Sequence, residues 1–105
     1  ESIAGTETTF QIPGRSPLAG KYKGTGLSEL FKKMVTLSNH SLQVDIHDIT
    51  ATDQHGLVLM TNVVMKNGVK LEYRTVHVWR IQNGVLLAGY EYPRDLYQYD
   101  EIWAS

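Results

Sequence analysis

The sequence predicts a single α+β domain in which one amphipathic helix precedes a four-stranded antiparallel meander. Two Asn-Gly pairs, Asn67-Gly68 and Asn83-Gly84, each separate runs of alternating apolar and polar residues. Such a pair marks a type I′ hairpin turn, because both central residues must take positive φ. Upstream, Leu27, Leu30, Phe31, Met34 and Leu37 recur at steps of three and four, the period of a helix with one apolar stripe. A helix followed by consecutive hairpins is the α+β pattern.

Taken in order, Thr8 to Ile12 is β-branched and aromatic and stops at Pro13-Gly14, a short first strand. The segment on to Gly24, which carries Pro13, Pro17, Gly14 and Gly20, reads as loop. The helix begins at Thr25, a residue type suited to cap it, and Lys32 and Lys33 lie opposite the apolar stripe. Leu42, Val44 and Ile46 alternate with Gln43, Asp45 and His47, a strand expected to bury one face and to end before Thr52-Asp53-Gln54. Leu57 to Lys66 is the next strand, and Lys70 to Tyr92 holds the last two.

Strand pleating and two-residue turns then fix a register. Val58 is expected opposite His77, Met60 opposite Thr75 and Asn62 opposite Tyr73; across the second turn, His77 is expected opposite Tyr90, Thr75 opposite Tyr92 and Trp79 opposite Ala88. One face of the meander thus collects Val58, Met60, Asn62, Tyr73, Thr75, His77, Trp79, Tyr90 and Tyr92, and a bulge in a long strand would flip whatever follows it. Leu57, Leu59, Val63, Met65, Val76, Val78 and Leu87 fall on the reverse face. One helix covers one side of a sheet, so this second apolar face predicts a homodimer joined through the outer sheet face.

At 105 residues, the chain is expected to form one domain over 1–105. Ten basic and eleven acidic residues leave a net charge of −1 with no basic block beyond Lys32-Lys33, so no nucleic-acid partner is expected. The absence of cysteine excludes disulfides, thiolate zinc sites and cysteine nucleophiles. The longest apolar run, Val85 to Ala88, is far too short for a membrane span, and the N-terminus lacks the blocks of a signal peptide. No membrane partner and a cytoplasmic location are therefore expected. His40, His47, His55, Asp45 and Asp48 have no metal-ligand spacing, so no metal is expected.

Three stretches carry a wider resemblance: Ile12-Pro13-Gly14-Arg15-Ser16-Pro17-Leu18-Ala19-Gly20-Lys21-Tyr22-Lys23-Gly24, His77-Val78-Trp79-Arg80-Ile81 before Asn83-Gly84, and Tyr92-Pro93-Arg94-Asp95-Leu96-Tyr97-Gln98-Tyr99-Asp100-Glu101-Ile102-Trp103. In this order the chain resembles the SnoaL-like and ketosteroid isomerase-like group of the NTF2-like superfamily. The resemblance implies a cone-shaped α+β barrel, a curved antiparallel sheet wrapped around a helix, from which the family's usual N-terminal helices are missing. That scaffold hosts isomerases, polyketide cyclases, epoxide hydrolases, dehydratases and plain binding modules.

In ketosteroid isomerases the general base is an aspartate just before a proline of the first strand, and a protonated acid on a later strand donates to the enolate. Ile12 occupies the base position here and cannot take a proton. The hydrogen-bonding position aligns with His77, whose imidazole can donate or shuttle a proton near neutral pH. His77 and Tyr90 are therefore the candidate catalytic residues. Gln11, Val58, Met60, Asn62, Tyr73, Thr75, Trp79 and Tyr92 are the candidate contacts for a small apolar molecule, with no cofactor expected. Asp95 is expected to cap a final turn, with Asp100 and Glu101 facing solvent. Two functions follow: a cofactor-independent isomerase, cyclase or hydrolase acting on an apolar carbonyl or cyclic substrate, or a noncatalytic ligand-binding or dimerisation module. An inner-face carboxylate would separate them, and the simple register supplies none.

Overall fold

The computed structural model describes residues 4–104, with side chains from Glu7 onward. The order of elements is β1 (Ala4–Ile12), β2 (Gly20–Lys23), α1 (Gly26–Leu37), β3 (Gln43–Ala51), β4 (His55–Lys66), β5 (Val69–Gln82), β6 (Val85–Pro93) and α2 (Leu96–Trp103). The six strands form one curved, unclosed sheet in the order β2-β1-β6-β5-β4-β3. Strand β1 runs parallel to β6, and every other pairing is antiparallel. The predicted α+β arrangement and meander are both present. No helix among the described residues is long and apolar enough to cross a membrane.

Both hairpin turns have the geometry their residues dictate: φ is 53° at Asn67 and 77° at Gly68, and 53° at Asn83 and 76° at Gly84, as type I′ turns need. The β4/β5 register is the predicted one, with Val58 opposite His77, Met60 opposite Thr75 and Asn62 opposite Tyr73. The β5/β6 register is not. It shifts at one point, where Arg80 pairs with Ala88 but Ile81 pairs with Leu86, which leaves Leu87 as the extra residue of a bulge. Beyond it, Trp79 meets Gly89, His77 meets Glu91 and Thr75 meets Pro93. Every side chain from Ala88 to Pro93 is therefore on the face opposite to the one predicted.

Four further expectations are corrected. The loop before Gly24 contains β2, which pairs antiparallel with β1 from Thr9 opposite Lys23 to Ile12 opposite Gly20. Thr25 makes no side-chain cap, because its own backbone is already helical at φ −64° and ψ −17°, whereas a capping side chain needs an extended backbone to reach the next N–H groups. Strand β3 buries neither face: it pairs only with β4, and Val44, Ile46 and Ile49 remain more than half exposed. Asp100 does not simply face solvent, since both its oxygens accept the Arg15 N–H at 3.1 Å.

The core lies on the inner face, where Phe10, Ile12, Leu18, Leu30, Val64, Tyr73, Tyr99, Ile102 and Trp103 form one buried cluster. Helix α1 contributes Leu30, with Leu27, Met34 and Leu37 partly buried beside it, while Phe31 is 62% exposed. Helix α2 is capped by Asp95, whose carboxylate accepts the Gln98 N–H at 3.2 Å. Its Tyr99, Ile102 and Trp103, spaced three and four apart, are driven under the sheet.

Candidate functional site: a histidine and carboxylate pair on the inner face

The bulge at Leu87 turns Glu91 inward, and Glu91 then becomes the centre of the polar network on that face. The residue is only 4% exposed. Its Oε2 accepts from the Thr75 hydroxyl at 2.7 Å and lies 3.3 Å from His77 Nε2, and its Oε1 accepts from the Tyr99 hydroxyl at 3.2 Å. A buried carboxylate is costly unless such donors surround it. Each donor comes from a different local choice: Thr75 and His77 from β5 and Tyr99 from the buried stripe of α2.

His77 stands at the open side of this network, with its side chain 24% exposed against 3% for Glu91. The Phe10 ring meets the imidazole edge at 4.9 Å and leans on Trp79 at 5.3 Å. Nδ1 of His77 has no partner among the described residues. Phe10 of β1 supplies the aromatic wall against the histidine. That wall depends on Gly89, because a Cβ there would lie 2.6 Å from both rings, Phe10 Cδ1 and Trp79 Cζ3.

Deeper along the same face, Asn62, Tyr73 and Trp103 make a second polar cluster. The Tyr73 hydroxyl oxygen receives Asn62 Nδ2–H at 2.9 Å and Trp103 Nε1–H at 3.1 Å, which fills both its lone pairs and leaves its proton without an acceptor. Asn62 Oδ1, meanwhile, is buried without a donor among the described residues. With the amide turned by 180°, Tyr73 donates to Oδ1 and Nδ2 takes the buried position that has no partner among the described residues. Burial raises the pKa of Tyr73, and burial together with the nearby Glu91 charge raises that of Tyr99, so both phenols stay protonated donors.

The candidate residues separate accordingly. His77, Val58 and Trp79 are half-buried at the open end of the inner face, whereas Met60, Asn62, Tyr73 and Thr75 are nearly fully buried within it. Tyr90, Tyr92 and Gln11 lie on the outer face, the tyrosines because the bulge flips them. With Ile12, Pro13, Gly20, Lys21 and Glu91 they line a pocket of about 450 Å³ along β1, β2 and β6. Tyr90 is thus not the hydrogen-bonding neighbour of His77; Glu91 is. Among the described residues no group of His, Asp and Glu is arranged to hold a metal ion.

No family model and no curated protein matches this chain, but solved structures do. An NTF2-like protein from Burkholderia xenovorans superposes with a TM-score of 0.75 at 18% identity, over 96% of this chain and 78% of that one. The chain has the NTF2-like fold. Further solved structures are similar to this chain: Bal32a, from a soil-derived mobile gene cassette, has a TM-score of 0.86 at 23% identity, covering 96% of this chain and 79% of its own. TerC, co-crystallised with polyporic acid, has a TM-score of 0.78 at 18% identity, covering 95% and 79%. In this NTF2-like sheet the Gln11–Tyr90 pairing puts Ile12 one step on, beside Glu91. The inner-face carboxylate thus comes from β6, the strand next to Ile12.

Proposed function

We propose that the chain is a small-molecule-binding protein that performs cofactor-independent proton transfer on an apolar carbonyl-bearing or cyclic substrate, with His77 and Glu91 as its acid–base pair. The observation that carries this reading is a buried inner-face carboxylate 3.3 Å behind a partly open imidazole. Glu91 holds the Nε2–H tautomer, which leaves Nδ1 as the base that meets the substrate, and its negative charge stabilises the imidazolium once a proton is taken. Thr75 and Tyr99 keep the carboxylate in place by donating to it from the other sides. Phe10, Trp79 and Val58 supply the apolar walls. A fold neighbour co-crystallised with polyporic acid is in keeping with a small-molecule ligand.

The test is exchange of α-hydrogens for deuterium, followed by proton NMR, over a panel of cyclic ketones and enones. Wild-type protein is expected to accelerate exchange for at least one of them, and Glu91→Gln and His77→Gln to reduce that rate by roughly 10²-fold or more. Ligand-induced quenching of Trp79 with no exchange from any compound would mark the protein as a noncatalytic binder instead.

A further inference from the structure

The bulge that turns Glu91 inward also builds a second, oppositely charged site on the outer face. Thr61 of β4 lies directly opposite Arg74 of β5, and Arg94 continues the β5/β6 ladder by donating its N–H to the Arg74 carbonyl at 3.0 Å. On the other side, His47 Nε2 and Thr61 Oγ1 share a hydrogen bond of 2.6 Å. His47, Thr61, Arg74 and Arg94 thus make one polar row across the sheet. The next row along it is Leu59, Val76 and Tyr92, and together the two rows line a groove of about 510 Å³.

Two arginines directly opposite each other repel, and neither makes an ion pair among the described residues. The nearest carboxylates by register or sequence are Asp45, opposite Thr61, Asp48, opposite Leu59, Glu72, two residues before Arg74, and Asp95, next to Arg94, which accepts the Gln98 N–H instead. None of the four makes an ion pair with either guanidinium among the described residues. A row of unopposed donors next to an apolar floor has the two halves of a recognition site for an amphiphilic oxyanion: the guanidinium forks match a carboxylate or phosphate in two-point contact, and Leu59, Val76 and Tyr92 bury a flat apolar body.

We infer that this groove binds a small organic oxyanion, its head group held by Arg74 and Arg94 with Thr61 and its apolar body laid on Leu59, Val76 and Tyr92. The site is separate from the inner-face pair and does not depend on its activity.

Biphenyl-4-carboxylate, biphenyl-4-yl phosphate and the neutral biphenyl-4-carboxamide, titrated calorimetrically at low salt, test this. Either anion is expected to bind at least ~10-fold more tightly than the amide, and the tighter of the two identifies the head group. Arg74→Gln/Arg94→Gln should lose at least ~10-fold for the anions and nothing for the amide, and Arg74→Lys/Arg94→Lys should recover only part of it, because lysine keeps the charge without the fork. Trp79 lies on the inner face and Trp103 is buried on α2, and neither lines the groove, so Trp emission should not change on binding. Equal affinity for anion and amide, or anion binding that survives the double glutamine variant, overturns the proposal. So does sedimentation showing a wild-type dimer that this variant dissociates, since a second copy would then occupy the groove.

Discussion

Gly89→Ala distinguishes the bulged register from the regular one by the sign of its effect on stability. In the observed sheet, an added Cβ meets Phe10 Cδ1 at 2.6 Å, Trp79 Cζ3 at 2.6 Å and Trp79 Cε3 at 2.7 Å. Both rings must retreat by roughly 0.8 Å to reach the 3.4 Å where ordinary contact begins. Phe10 is only 4% exposed and already touches His77, so its retreat disturbs the wall of the proposed site. Overpacking of this kind costs about 1–3 kcal/mol. Relief of the glycine's backbone entropy returns about 0.5–1 kcal/mol, so the net expectation is a loss of up to about 2.5 kcal/mol, centred on about 1 kcal/mol. That corresponds to a fall in Tm of several degrees for a domain of this size. In the regular register Gly89 would face outward, and alanine would stabilise by the entropy term alone. Urea unfolding followed by far-ultraviolet circular dichroism and Trp emission measures the difference. A variant at least as stable as wild type refutes both the bulge and the inward Glu91 that depends on it.

Thr75→Val keeps the shape but removes the shortest donor to buried Glu91, and is expected to cost about 1.5–3 kcal/mol in the same unfolding assay. Tyr73 and Tyr99 are raised above the ordinary 10.0 by burial, so the folded state retains two protons that the unfolded chain releases. Their stabilising contribution is full below pH 10 and falls by about 2.7 kcal/mol per pH unit above it; denaturant titrations at pH 9 and pH 11 check this, and phenolate absorbance should show both tyrosines silent until unfolding. Asp95→Ala removes the cap of α2 and should cost about 1 kcal/mol, read as a lower urea midpoint with an unchanged m-value.

Much of the fold is legible where one local rule acts alone. Asn67-Gly68 demands a two-residue turn, and with no bulge in either strand the register follows from His55 opposite Arg80 to Lys66 opposite Val69. The stripe of Tyr99, Ile102 and Trp103 carries the expected final turn on into helix α2, whose start is legible too, in Asp95 followed three residues later by Gln98. Strand β2 was not, because Lys21-Tyr22-Lys23 between two glycines is too short to show a period. Nor was the exposure of β3: alternation reports which residues share a face, not whether anything covers it.

Glu91 was hidden for a stronger reason. Counting from the Asn83-Gly84 turn sends it outward, and hydrophobic patterning, which prefers Tyr90 and Tyr92 inside, agrees. Two independent rules thus concur on the wrong face. What overrides them is packing at Gly89: with Trp79 laid across β6 against Phe10, the residue opposite Trp79 must lack a Cβ, and only the extra residue at Leu87 brings Gly89 rather than Ala88 to that place. The sequence cue was the lone glycine inside a strand, which signals a bulge or a close approach. Burying a carboxylate in place of two tyrosines opposes the hydrophobic gradient, and the fold accommodates it with Thr75, Tyr99 and His77. A local rule broken at such cost, with dedicated partners supplied, is what a functional site is expected to look like.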